Sequence, residues 1–125
     1  MPTGFIQHPA CRQHDMGPGH PEAPRRLSLI EDALAANGVM DLLRLYEAPL
    51  ATREQLERVH QPAYLDSLAA RSPAEGLVHL DPDTAMNAHT LEAAPRAAGA
   101  AGMATDRVLD GSVQNAFCCV RPPGH

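Results

Sequence analysis

Three groups of residues carry chemical potential. The first is an early run of His8, Cys11, His14 and His20. Imidazole and thiolate suit zinc, but this spacing matches no tight finger pattern. The same residues also read as loop positions engaged in hydrogen bonds. The second is Asp81-Pro82-Asp83-Thr84. Its carboxylates can accept amide N–H bonds from a ligand or simply form an Asx turn. The third is Arg121-Pro122-Pro123-Gly124-His125. An apolar run, Asn115 to Val120, enters a rigid proline turn, then a glycine and an imidazole. That order sets a titratable group at the carboxyl end of a strand, where ligands bind in open α/β sheets.

These groups need elements to hold them. Thr3 to Gln7 reads as a first strand, and His8 to Ala23 as a long loop of the functional or disordered kind. Pro24 opens a helix, with Leu27, Ile30 and Leu34 on one face and Asn37-Gly38 as its stop. Leu42 to Glu47 reads as a second strand. Thr52 and Gln55 have capping-box spacing, which predicts a short helix over Arg53 to Val59. Pro62 starts another over Ala63 to Ala70, with Tyr64, Leu65 and Leu68 on its apolar side.

Ser72 to His89 reads as a second long loop. Thr90 is expected to cap the longest helix, which runs to about Leu109. Pro95 lies early enough in it to do little damage. Gly99 and Gly102 weaken this helix intrinsically, and a close approach to the sheet explains them. The third strand, Asn115 to Val120, is almost continuously apolar, as expected when both faces are covered. Its neighbours Cys118 and Cys119 point to opposite faces and act as small buried apolar groups. The order β-α-β-α-α-α-β implies an α/β fold around a parallel sheet with right-handed crossovers.

The 125 residues fit a single domain, 1–125. Two Tyr, two Phe and no Trp require an aliphatic core. A net charge of −5 with no basic stripe argues against nucleic acid as a partner. No apolar run approaches the roughly 18 residues of a membrane span, and the N-terminus lacks a signal pattern. The expected compartment is the cytoplasm. Three cysteines do not make a disulfide framework.

Four segments, in order, resemble the histone deacetylase superfamily of zinc-dependent amidohydrolases. Gly19-His20-Pro21-Glu22-x-Pro24-x-Arg26-Leu27 is similar to the family's first active-site loop. Leu56 to Leu68 is similar to its Val-His-x-x-x-Tyr-Leu stretch. Asp81 to Thr84 and the closing Arg121-Pro122-Pro123-Gly124-His125 complete the set. The resemblance implies the arginase/deacetylase fold, with a parallel sheet of about three strands in the order 2-1-3 and flanking helices. It identifies the chain as an N-terminal piece of that fold.

The resemblance also implies roles. His125 matches the first of two tandem histidines, the one that acts mainly electrostatically; the second, usually the general base, is not among these residues. Asp81 or Asp83 grips the substrate backbone. Arg26 lies beside an internal channel, and Arg121, Gly124 and His20 line that channel or serve structure. Cys11 and His20 match part of a structural zinc site found in some class II relatives, but the second loop has no cysteine to complete it. The catalytic zinc ligands lie on later segments, so no metal ligand is assigned here, and a potassium ion is a possible companion in the full-length family. The implied substrates are acetyl-lysine or acetylpolyamine, hydrolysed to acetate and amine. The 125 residues alone are expected to be inactive and to self-associate through the open strand Asn115–Val120. The alternative is a non-catalytic folded fragment or self-associating interaction module.

Overall fold

The computed structural model describes residues 2–124. The first strand, β1 (Thr3–Gln7), has its three central residues buried. Its side chains alternate between two half-cores. Phe5 packs with Cys11, Leu27 and Cys119 on one face. Ile6 packs with Ala48 and Ala100 on the other. A short 3₁₀ turn, Pro9–Arg12, follows β1, and His8 caps it by accepting the Ala10 N–H at Nδ1.

Helix α1 (Arg25–Ala36) starts at Pro24 and covers the Phe5 face through Leu27, Ile30 and Leu34. It stops at Asn37, followed by Gly38 with φ +71, a conformation glycine adopts without steric cost. Strand β2 (Leu43–Glu47) then pairs parallel to β1, with Leu45 opposite Phe5. Helix α2 (Arg53–Glu57) is closed by the full Thr52–Gln55 capping box. Helix α3 (Pro62–Arg71) has no buried residue.

The segment Ser72 to His89 departs from the expected loop. It contains an antiparallel hairpin of β3 (Val78–Asp81) and β4 (Thr84–Met86), with Val78 opposite Met86. Helix α4 (Thr90–Leu109) has His89, not Thr90, at its N-cap. The Thr90 hydroxyl turns inward instead, to His14. A Cβ on Gly99 would lie 1.8 Å from the Pro49 carbonyl oxygen. The close approach is thus to the chain leaving β2. Gly102 has nothing within 4 Å of such a position, so the same reason does not apply to it.

Strand β5 (Asn115–Cys118) is shorter than the expected Asn115–Val120 and pairs parallel to β1, with Phe117 opposite Phe5. The sheet order is β2-β1-β5, which is 2-1-3 among the principal strands. Cys118 and Cys119 pack in different half-cores. The two-face coverage expected for this strand is incomplete: Phe117 is 50% exposed, although its ring stacks on Phe5 at 6.0 Å. That face is packed around Phe5 by Cys11, Leu27 and Cys119, with Ile30, Leu34 and Met40 beside them, and Phe117 lies outside this cluster. Among the described residues, no helix is long and apolar enough to cross a membrane.

Candidate functional site

The site is built around one buried cation. Arg121 leaves the end of the β5 segment and is 0% exposed. Its Nε donates to Glu22 Oε1 at 2.9 Å, and its Nη2 donates to Glu22 Oε2 at 2.7 Å. Nη2 also reaches the Glu22 carbonyl at 3.2 Å. Nη1 donates to the carbonyls of Cys11, at 2.9 Å, and His14. A guanidinium offers its donors as a rigid fork. Here that fork binds the turn at Arg121 to three separate points of the first loop. Removing one partner of such a pair costs about 3–5 kcal/mol.

Glu22 is shared. Its Oε1 also accepts from Arg26 Nη1 at 2.8 Å. Burial alone would push its carboxyl up, but the hydrogen bonds and charge of Arg121, aided by Arg26, outweigh burial and hold it below the ordinary value. His14, 1% exposed, lies beside this cluster. Burial, reinforced by the Arg121 charge, pulls its imidazole below the ordinary value. Its Nδ1 is 2.7 Å from Thr90 Oγ1. Its Nε2 has no hydrogen-bond partner among the described residues and lies 4.0 Å from Glu22 Oε2. An orphaned buried donor or acceptor costs about 1–3 kcal/mol.

His20 joins the first loop to the hairpin. Its Nδ1 accepts the Glu22 N–H at 3.1 Å, so its proton sits on Nε2. That Nε2 donates to the Asp83 carbonyl at 2.8 Å and lies 3.3 Å from Asp83 Oδ1. Asp81 spends one carboxylate oxygen on the Asp83 N–H, at 2.8 Å, which is an Asx turn. The two aspartates thus part company. Asp81 shapes the hairpin tip, and Asp83 presents a carboxylate that is 86% exposed.

Between these groups lies a cavity of about 530 Å³. His14, Glu22 and Arg26 stand on its wall, as do Asp83, Pro122 and Pro123. The structure therefore brings His20, Arg26 and Asp83 together around the space that adjoins the Arg121 turn. Gly124 is exposed and borders an adjoining apolar groove, beside Leu65 and Ala98, that shares Leu68, Pro122 and Pro123 with this cavity. His125 lies outside the described residues.

A metal does not fit the described residues. No three His, Cys, Asp or Glu side chains among them converge as a ligand set. Cys11 faces the core, and burial raises its thiol despite the opposing Arg121. Burial likewise pushes Cys119 up to about 11. Protonated thiols are neither nucleophiles nor metal ligands.

The sequence pattern understated Glu22 and His14. Glu22 reads as a carboxylate opposing a helix dipole, and only its spacing to Arg26 signals an ion pair. Its partnership with Arg121 spans 99 residues and leaves no local trace.

Comparison with known proteins agrees with this architecture. Residues 20–125 match the histone deacetylase domain. The chain is 35% identical over all of its length to a probable deacetylase of Archaeoglobus fulgidus, covering 35% of that protein. It is 37% identical over 98% of its length to a histone deacetylase-like amidohydrolase of Pseudomonas aeruginosa, covering 30% of it. The mouse polyamine deacetylase HDAC10 is 35% identical over 83% of this chain, which covers 16% of that protein. The crystal structure of the HDA15 HD domain superposes with a TM-score of 0.90 at 29% identity, covering 99% of this chain and 36% of that one. The chain belongs to the histone deacetylase family and has the deacetylase fold. It spans about a third of the length of its archaeal and Pseudomonas relatives.

Proposed function

We propose that the chain forms the N-terminal part of a zinc-dependent deacetylase that hydrolyses acetyl-lysine or acetylpolyamine amides. The observation that carries this reading is the Arg121–Glu22 lock, which sets the proline turn and the substrate-side loops around one cavity. Asp83 is the rim carboxylate that accepts the substrate's amide N–H, because its carboxylate is exposed while Asp81 is occupied in the turn. His20 positions Asp83. Arg26 places a cation on the cavity wall, and His125, by resemblance, acts electrostatically at the reacting carbonyl. The metal would polarise that carbonyl and activate water; its ligands are not among the described residues. The 125 residues alone are therefore inactive.

The test is a chimera in which this chain replaces the matching segment of the Pseudomonas aeruginosa relative. It should release acetate from an acetyl-lysine peptide or from N-acetylputrescine, and a hydroxamate should stop it. Asp83→Ala should lower turnover more than tenfold, and Asp81→Ala much less. A folded, zinc-loaded chimera that releases no acetate would sink the proposal.

A second reading, a self-associating interaction module, is favoured by the half-exposed Phe117 on the outer strand β5. Its segment Asn115–Cys118 carries no charge to discourage edge pairing. Sedimentation of the chain across a concentration series tests it, and a monomer throughout would rule it out.

A further inference from the structure

Three hydrogen bonds fasten the first long connection to the hairpin. His20 Nε2 donates to the Asp83 carbonyl at 2.8 Å, the Ala85 N–H donates to Met16 Sδ at 3.4 Å, and Asn87 Nδ2 donates to the Gln13 carbonyl at 2.8 Å. Each joins a side chain to a backbone group. Asp83, Ala85 and Asn87 alternate along β4 and its flanks, while their partners His20, Met16 and Gln13 run the opposite way along the chain. In its own sheet β4 has only β3 beside it. The first connection thus runs antiparallel to β4 and is fastened to it at every second residue.

The middle fastening differs chemically from the other two. Ala85 is 2% exposed, so its amide is shielded from water and needs an acceptor within the protein. The acceptor it has is a thioether, which is a weak one. Unlike a carbonyl, a thioether is also open to oxidation. Met16 is partly exposed and stands on the cavity wall. The other described methionines are placed differently. Met86 is 1% exposed, and Met40 and Met103 pack against the two half-cores.

We propose that Met16 is a modification site, oxidised to the sulfoxide by hydrogen peroxide, and that the change unfastens the hairpin from the first connection. A lone pair of Sδ attacks one peroxide oxygen and the O–O bond breaks. Sulfur keeps that oxygen, and the other leaves as water. The sulfur is oxidised and the peroxide reduced by the same electron pair. Nitrogen and sulfur already sit at contact distance. An oxygen added on the side of Ala85 lies far inside hydrogen-bond distance of its nitrogen and forces the connection away from β4. An oxygen added on the other side leaves the Ala85 amide facing a sulfur that has become a poorer acceptor. Either epimer loosens the middle fastening, and the exposed Asp83 carboxylate lies two residues away. Methionine sulfoxide reductases, one for each epimer, reverse the change. The effect on a substrate rests on the deacetylase reading; the modification site does not.

The test treats the 125-residue chain with dilute hydrogen peroxide, followed by peptide mass spectrometry and amide exchange. Met16 should become the sulfoxide well before Met86. Exchange at the Ala85 amide should then accelerate about tenfold, as expected for the loss of one hydrogen bond, and reductase treatment should restore the slow rate. Met16→Leu should exchange fast at Ala85 from the start and should not respond to peroxide. Oxidation of Met16 no faster than that of Met86, or a fully oxidised Met16 with the Ala85 rate unchanged, would overturn the proposal. In the chimera, peroxide should raise KM for the acetyl-lysine peptide severalfold, and Met16→Leu should remove that response. The chimera also separates the two ideas. A chimera that hydrolyses nothing, yet loosens at Ala85 on oxidation, removes only the deacetylase reading. Steady turnover with Met16 oxidised and Ala85 still protected removes this inference alone.

Discussion

The two long connections, residues 8–24 and 72–89, become ordered by different means. The first contains only the 3₁₀ turn Pro9–Arg12 as regular structure. Its shape is imposed by Arg121, on which the carbonyls of Cys11, His14 and Glu22 converge. The second supplies its own backbone ladder, β3 against β4, closed by the Asp81 turn. They touch through His20 on Asp83, and through the Ala85 N–H on Met16 Sδ at 3.4 Å. A loop shaped by a distant side chain should fail as a whole when that side chain loses its partner. A hairpin should fail only locally.

The largest expected effect is from Glu22→Gln. It leaves Arg121 buried without a counter-charge and should cost about 3–5 kcal/mol. Denaturant unfolding measures the loss, and amide exchange should accelerate across residues 8–24 before it does in β3 and β4. A cost below about 1 kcal/mol would break the comparison. A smaller effect is expected from pH. His14 has a folded value below its ordinary 6.5, so the unfolded chain takes up a proton first. Stability present above that pH should decline as pH falls through and below it. Glu22, held below 4.5 when folded, adds a second loss as pH drops from there through its folded value. Thermal melts from pH 8 to 3 should show both, and His14→Phe should remove only the upper one.

His20→Phe removes one clasp between the connections and leaves those of Ala85 on Met16 and Asn87 on Gln13. It should cost about 1–2 kcal/mol and speed exchange in β3 and β4 without opening the Arg121 cluster. Asp81→Ala, at an exposed turn, should cost about 0.5–1 kcal/mol, with its effect confined to the hairpin tip. If Asp81→Ala exceeds His20→Phe, the hairpin depends on its turn more than on the first loop.

What the sequence disclosed follows the range of each signal. The capping box at Thr52 and Gln55, the apolar run of β1 and the face Leu27, Ile30, Leu34 are local, and each appears where the pattern puts it. The β3–β4 hairpin was hidden because its strands have only four and three residues, too short for alternation to stand out. Phe117 sits in a run that reads as buried on both faces, yet burial depends on what packs over it, and Phe117 stays half exposed outside both packed clusters. The strand order came from resemblance rather than periodicity. The residues around the cavity were legible as motifs, but their mutual geometry was not. Glu22 meets Arg121 across 99 residues.

That separation sets a clock for the nascent chain. β1 is the middle strand and leaves the ribosome before both of its neighbours, and β5 and Arg121 emerge about a hundred residues after it. At roughly 5–20 residues per second, this leaves an interval of roughly five to twenty seconds. Until it ends, Phe5 and Ile6 have at most the β2 side to pair with, and the first loop lacks Arg121 to wrap. Contacts of such long range also slow folding after release. The sticky period of this protein is thus set by where Arg121 falls in the message, and chaperone capture should be strongest just before that codon is read.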